Sequence, residues 1–85
     1  MPGISRFFGI VIAMYWRDHL PPHFHAKYAG HEAEIDIETG AIMGHLPPRA
    51  LGLAQEWRQS HKAELRADWK RAESRRPLLK IRPLE

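Results

Sequence analysis

Polar and apolar residues alternate from His23 to Tyr28 and again from His31 to Ile37. Read as two strands joined at Ala29-Gly30, the pattern pairs Tyr28 with His31, Lys27 with Glu32, His25 with Glu34 and His23 with Asp36. Successive side chains on a strand point to opposite faces. One face therefore carries His23, His25, Lys27, Glu32, Glu34 and Asp36, and the other Phe24, Ala26, Tyr28, Ala33, Ile35 and Ile37. A one-residue slip would set histidine against isoleucine and mix the two faces, so the pattern selects its own register. Ala29-Gly30 is not the favoured Asn-Gly pair, so the register is better specified than the turn type.

Phe7 to Trp16 is apolar on both faces and rich in β-branched and aromatic residues, which predicts one central strand. Phe8, Ile10, Ile12, Met14 and Trp16 form its bulky face. Gly9, Val11 and Ala13 are small and leave room beside the polar face of the hairpin. Arg17 to Pro22 reads as a turn, because the two prolines cannot continue a ladder. After the hairpin, Glu38-Thr39-Gly40 leads into a short strand from Ala41 to His45.

Leu46-Pro47-Pro48 opens a helix, proline being tolerated in its first turn. Ala50, Leu53, Ala54 and Trp57 recur at helical spacing and should pack on the oily face of the sheet. Beyond Ser60 the phase shifts: one straight helix would centre Glu64 and Asp68 in the buried stripe. A break or kink near Ser60-His61 is therefore expected, with a second helix from about Lys62 to Ser74 and a stripe of Leu65, Trp69 and Ala72. Pro77 stops it, and Leu79, Ile81 and Leu84 form an extended tail expected to add a short edge strand. The fold class is α+β: residues 1–85 as a single domain, a small antiparallel sheet of about four strands, and two C-terminal helices (or one kinked helix) over one face.

A chain of 85 residues buries only about 60% of its unfolded surface, so a partner subunit or a second copy is a natural expectation. With no cysteine, neither disulfides nor zinc–thiolate sites can staple it. The longest apolar run falls well short of the roughly 20 residues of a membrane helix. The first residues lack the order of a signal peptide. A cytoplasmic protein with no membrane partner is the expectation. Charge is uneven: residues 1–46 carry a net of −2 and residues 47–85 a net of +5. The basic half suits RNA, DNA or an acidic protein.

Candidate chemistry centres on His23 and His25. Two histidines at i and i+2 on a strand point the same way and can share one divalent metal ion, with Glu34 or Asp36 from the paired strand as the carboxylate. Asp18, His19 and His31 are further candidates. A metal-independent alternative is histidine-dependent RNA cleavage, the pair serving as general acid and base. His23, His25, Asp18 and Arg17 then form the catalytic set, with Lys27 or Arg49 as further cations for the developing charge. Three carboxylates on the same face oppose a phosphate backbone. The plain alternative is cross-strand pairing on a solvated face, at about 0.2–1 kcal/mol per pair. A cupin is excluded by the glutamate spacing, the missing second histidine motif and the short chain.

A second candidate surface is the row Arg58, Lys62, Arg66 and Lys70, four residues apart. Like charges at that spacing cost a few tenths of a kcal/mol per pair on one helix. A row kept at that cost suits phosphates or an acidic partner. Glu64, Asp68 and Glu73 dilute it, and no helix-turn-helix signature supports reading of DNA sequence.

Phe8-Gly9-Ile10-Val11-Ile12, Asp18-His19-Leu20-Pro21-Pro22-His23-Phe24-His25-Ala26, Glu34-Ile35-Asp36-Ile37 and Leu46-Pro47-Pro48-Arg49-Ala50-Leu51 stand out together. With Glu56-Trp57 and His61, they resemble the uncharacterised bacterial family called domain of unknown function 4160. The resemblance implies a toxin–antitoxin-like context, in which a second small protein, of domain-of-unknown-function family 2442, is the cognate partner. It carries over no active-site assignment.

Overall fold

The computed structural model describes residues 3–85. Five strands, β1 (Gly3–Phe7), β2 (Ile10–Ala13), β3 (His23–Tyr28), β4 (His31–Asp36) and β5 (Ile42–Gly44), form one antiparallel sheet in sequence order. Helices α1 (Pro48–Ser60) and α2 (Lys62–Glu73) follow.

The apolar run expected as one strand is a hairpin. Phe8 and Gly9 both adopt left-handed backbone, at φ 49° and 81°, and turn the chain between β1 and β2. Glycine takes that conformation without steric cost, and two such residues match the twist of a tight hairpin. Phe8, assigned by alternation to the bulky face, sits exposed at the turn. Ala29 and Gly30 turn the β3–β4 hairpin in the same way. Its register is the one the alternation selects, from Tyr28 opposite His31 to His23 opposite Asp36. On β2, Val11 lies opposite Lys27 and Ala13 opposite His25, so small residues flank the polar face as expected.

The oily face holds the core. Phe24, Ala26, Ala33, Ile35 and Ile37 pack with Ile10, Ile12 and Met14 beneath Ala50, Ala54, Trp57, Leu65 and Trp69 of the helices. The Trp57 ring lies 5.5 Å from both Phe7 and Phe24. The helices break at His61 (φ −127°, ψ 26°), where the phase shift places the break. The break leaves Glu64 exposed, while Asp68 stays fully buried. Its Oδ1 accepts from Arg71 Nη1 at 2.8 Å and from the Leu79 backbone N–H at 2.9 Å. Arg71, one turn further along α2, thus supplies the opposite charge and the tail a second donor to Oδ1, while the buried Oδ2 has no partner among the described residues.

No strand forms in the tail, contrary to expectation. The Ile81 N–H donates to the Ile4 carbonyl at 2.8 Å and the Ile81 side chain is buried. Pro77 and Pro83 remove backbone donors on either side, so this contact does not grow into a ladder.

Among the described residues, no helix is long and apolar enough to cross a membrane.

Candidate functional site

The loop from Tyr15 to Pro22 folds over the polar face and delivers Asp18 to the two histidines. Asp18 Oδ2 lies 3.0 Å from His23 Nε2 and 3.0 Å from His25 Nε2. Asp18 Oδ1 accepts the backbone N–H of His19 at 2.8 Å, which fixes the carboxylate. His23 is 3% exposed and His25 9%. This face is therefore not simply solvated: the loop, Tyr15 and Trp69 close over it. The Tyr15 ring meets His25 edge-on at 4.8 Å, and Trp69 lies 5.3 Å from His23.

The carboxylates of β4 reach the histidines diagonally rather than straight across. His25 Nδ1 lies 3.0 Å from Glu32 Oε2. Glu34 Oε1 lies 3.6 Å from His23 Nε2 and 3.3 Å from His19 Nε2. Each contact runs two residues nearer the turn than the directly opposed partner, a separation that long side chains span in a twisted sheet. The shift leaves Asp36 outside the cluster. Its Oδ1 accepts the N–H groups of Glu38 and Thr39 at 2.8 and 2.9 Å, so it shapes the β4–β5 turn instead of serving as a ligand. Lys27 is likewise displaced and donates to the Tyr15 hydroxyl at 2.7 Å.

The His23 Nδ1–H donates to the Pro21 carbonyl at 2.8 Å, and this acceptor sets the tautomer of the neutral ring. Burial opposes ionisation of Asp18 more than any other single influence. Hydrogen bonds from His25 and the His19 backbone, together with the His23 charge, still hold its carboxyl below the usual aspartate range. His19, stacked on His23 at 4.7 Å, is pushed up by the Leu20 carbonyl that its Nδ1–H meets; its burial opposes the shift, and Glu34 and Asp18 add to it. The hydrogen bond to Tyr15 likewise raises Lys27.

Arg17 is not drawn in. Its backbone N–H donates to the Ala72 carbonyl at 3.3 Å and its side chain is exposed. The basic row does not form one surface either. Arg58 is buried, donating from Nε to Gln55 Oε1 at 2.8 Å and from Nη1 to the Ile37 carbonyl at 3.1 Å. Arg66 grips Glu38 with two hydrogen bonds of 2.6 and 2.7 Å. Lys62 and Lys70 remain, the latter exposed.

Beside the cluster a cleft of about 100 Å³ is bordered by His19, His23, Glu34, Ile42 and Met43. Met43 is 69% exposed and Ile42 42%, so the cleft has an apolar edge beside its polar groups, and the exposed Leu20 lies on the adjoining loop. Sequence reasoning did not foresee the Tyr15–Lys27 pair, the Trp69 cover or the diagonal role of Glu32. The legible signal is the small β2 face, Val11 and Ala13, which leaves room for Tyr15 against His25.

The family model described as domain of unknown function, DUF4160, matches residues 9–70, so the chain belongs to that family. The match spans Asp18, both histidines and Glu32. No curated protein and no solved structure matches the chain.

Proposed function

From its place in this family, we propose that the protein is the active member of a two-protein module and works through the Asp18/His23/His25 cluster. The observation that carries this reading is the aim of two nearly buried imidazoles at one carboxylate oxygen. A hairpin that needed only cross-strand pairs has no use for a loop that brings in a third residue and closes over them. The cluster acts on a substrate, and the exposed Leu20, Ile42 and Met43 receive the small partner protein that restrains it. Strand β5 lies at the edge of the sheet with all three residues exposed, and an open edge accepts a further strand. Asp18, Glu32 and Glu34 give the surface an acidic centre, so the fitting partner presents basic and apolar side chains.

Two other readings are less well supported. Metal-free RNA cleavage needs imidazole nitrogens free to face a ribose hydroxyl, whereas both Nε2 atoms face Asp18. Binding of nucleic acid through the helices needs a continuous basic row, and Arg58 and Arg66 are occupied elsewhere.

The test is growth of a bacterial host on induction of this protein alone, beside Asp18→Asn and His25→Ala variants confirmed as folded. Arrest by the wild type and growth with both variants is the expected outcome. Growth with the wild type would contradict the reading, and arrest by all three would remove the activity from the cluster.

A further inference from the structure

We propose that Asp18, His23 and His25 bind one divalent transition-metal ion, zinc being the natural probe. The inference names the cofactor of the site proposed above and rests on that site's geometry rather than on toxicity. Because a carbonyl only accepts, the proton of a neutral His23 ring lies on Nδ1, and its Nε2 is a bare lone pair. That lone pair faces Asp18 Oδ2 at 3.0 Å, with Glu34 Oε1 at 3.6 Å. His25 repeats the arrangement: Nδ1 faces Glu32 Oε2 and Nε2 faces Asp18 Oδ2, each at 3.0 Å. Both rings thus have an acceptor at Nδ1 and a carboxylate oxygen at Nε2, and a neutral ring carries a proton for only one of them.

One cation between the Nε2 atoms and Asp18 would satisfy both ring nitrogens and the carboxylate at once. Two further protons would serve, at the cost of two adjacent imidazolium ions with ring centroids 5.2 Å apart. One divalent ion supplies the same charge and leaves both rings neutral. The outer contacts have the form that metal-binding histidines use, in which the second ring nitrogen donates to a backbone carbonyl or a carboxylate and so orients the first. Pro21 and Glu32 are those acceptors.

The spacing fits. One ligand atom from each of Asp18, His23 and His25 lies within 4.8 Å of the other two. Ligands at about 2.1 Å from a tetrahedral zinc stand about 3.4 Å from one another. The two 3.0 Å separations reach that value with a few tenths of an ångström of movement. Two imidazoles and one carboxylate, with no thiolate, suit a borderline ion such as zinc or iron(II) rather than magnesium. Three protein ligands leave a fourth position for water, the arrangement of hydrolytic rather than structural zinc sites, and the adjoining cleft beside Glu34 gives access. Glu32 is a positioning residue, acting on the metal through His25.

Purified, tag-free protein should be stripped with chelator and titrated with zinc chloride by calorimetry, with metal content measured after dialysis. One zinc per chain is expected. Asp18→Asn should bind at least 100-fold more weakly. Glu32→Gln, which keeps the size of the side chain, should bind about 10-fold more weakly. A His31→Ala/His45→Ala double variant should bind like the wild type, and magnesium should not compete. Circular dichroism and a melting curve for each variant separate lost binding from lost folding. Failure of the folded wild type to bind zinc or iron(II) overturns the proposal, as does undiminished binding by Asp18→Asn. Zinc binding without growth arrest leaves the metal site standing and removes the toxic reading. Histidine-dependent arrest by a protein that binds no metal does the reverse.

Discussion

A guanidinium buried without a carboxylate partner depends wholly on its hydrogen bonds. Arg58 reaches the Ile37 and Glu38 carbonyls and Gln55 Oε1, tying α1 to the turn after β4. Gly40, at φ +79°, completes this lock: a Cβ there would stand 2.7 Å from Gln55 Oε1 and 2.8 Å from Arg58 Nη2. Arg58→Ala should therefore destabilise the fold by about 1–3 kcal/mol, read from urea unfolding, by orphaning buried acceptors. Lys62→Ala and Lys70→Ala should stay within about 0.5 kcal/mol of the wild type. Equal effects from all three would contradict a structural role for Arg58.

Residue by residue, the cluster was half legible. Alternation puts His23 and His25 on one face, and Asp18, within the Arg17–Pro22 turn, stands among the candidate ligands and catalytic groups. Which carboxylate meets which histidine was not legible, since twist and side-chain length decide between direct and diagonal partners. Arg58 was misplaced on an exposed row because periodicity does not show that a turn will supply carbonyls to a charged side chain.

Between elements, Glu38 in the β4–β5 turn and Arg66 in α2 form a bidentate pair. The Arg66 hydrogen bonds hold the Glu38 carboxyl below its ordinary value near 4.5. A carboxyl depressed in the folded state contributes stability above its unfolded value, and that contribution disappears as pH falls through the lower folded value. Both side chains are about half exposed, so the effect is modest and weakens with salt. The stability curve below about pH 5 should accordingly be flatter in Arg66→Ala than in the wild type at low salt. Equal slopes would show the pair to be inert.

The break at His61 and the stripe of Leu65, Trp69 and Ala72 followed from helical phase alone. The hairpin at Phe8-Gly9 did not, because an apolar residue in a left-handed turn looks like a continuing strand. The course of the tail also escaped: besides the buried Ile81, Asp68 holds the Leu79 amide and Trp57 the Arg82 carbonyl, contacts that no apolar pattern shows. Asp68→Ala should loosen the start of the tail: the Leu79 amide should lose protection from hydrogen exchange, and stability should fall by about 1–3 kcal/mol. A Leu79 amide as protected as before would show that other contacts hold the tail.

For the whole molecule, the charge asymmetry along the sequence resolves into an acidic centre in the polar face of the sheet and basic residues on the helices, three of which (Arg58, Arg66 and Arg71) are engaged by partners within the chain. The exposed edge β5 and the apolar side chains Ile42 and Met43 lie beside the cleft that His19, His23 and Glu34 border. A chain this small keeps two histidines nearly buried only because a loop, a tyrosine and a tryptophan close over them. The convergence of these rings on Asp18 is the most direct thing to measure. Long-range proton–nitrogen correlation of the imidazole rings, at mildly alkaline pH with and without zinc, reports the tautomer of each histidine. The expected result is a proton on Nδ1 of His23 throughout. With zinc, both His23 and His25 should carry the proton on Nδ1, their Nε2 signals shifting while those of His31, His45 and His61 hold still. A proton on Nε2 of His23, or zinc shifts confined to the other histidines, would contradict it.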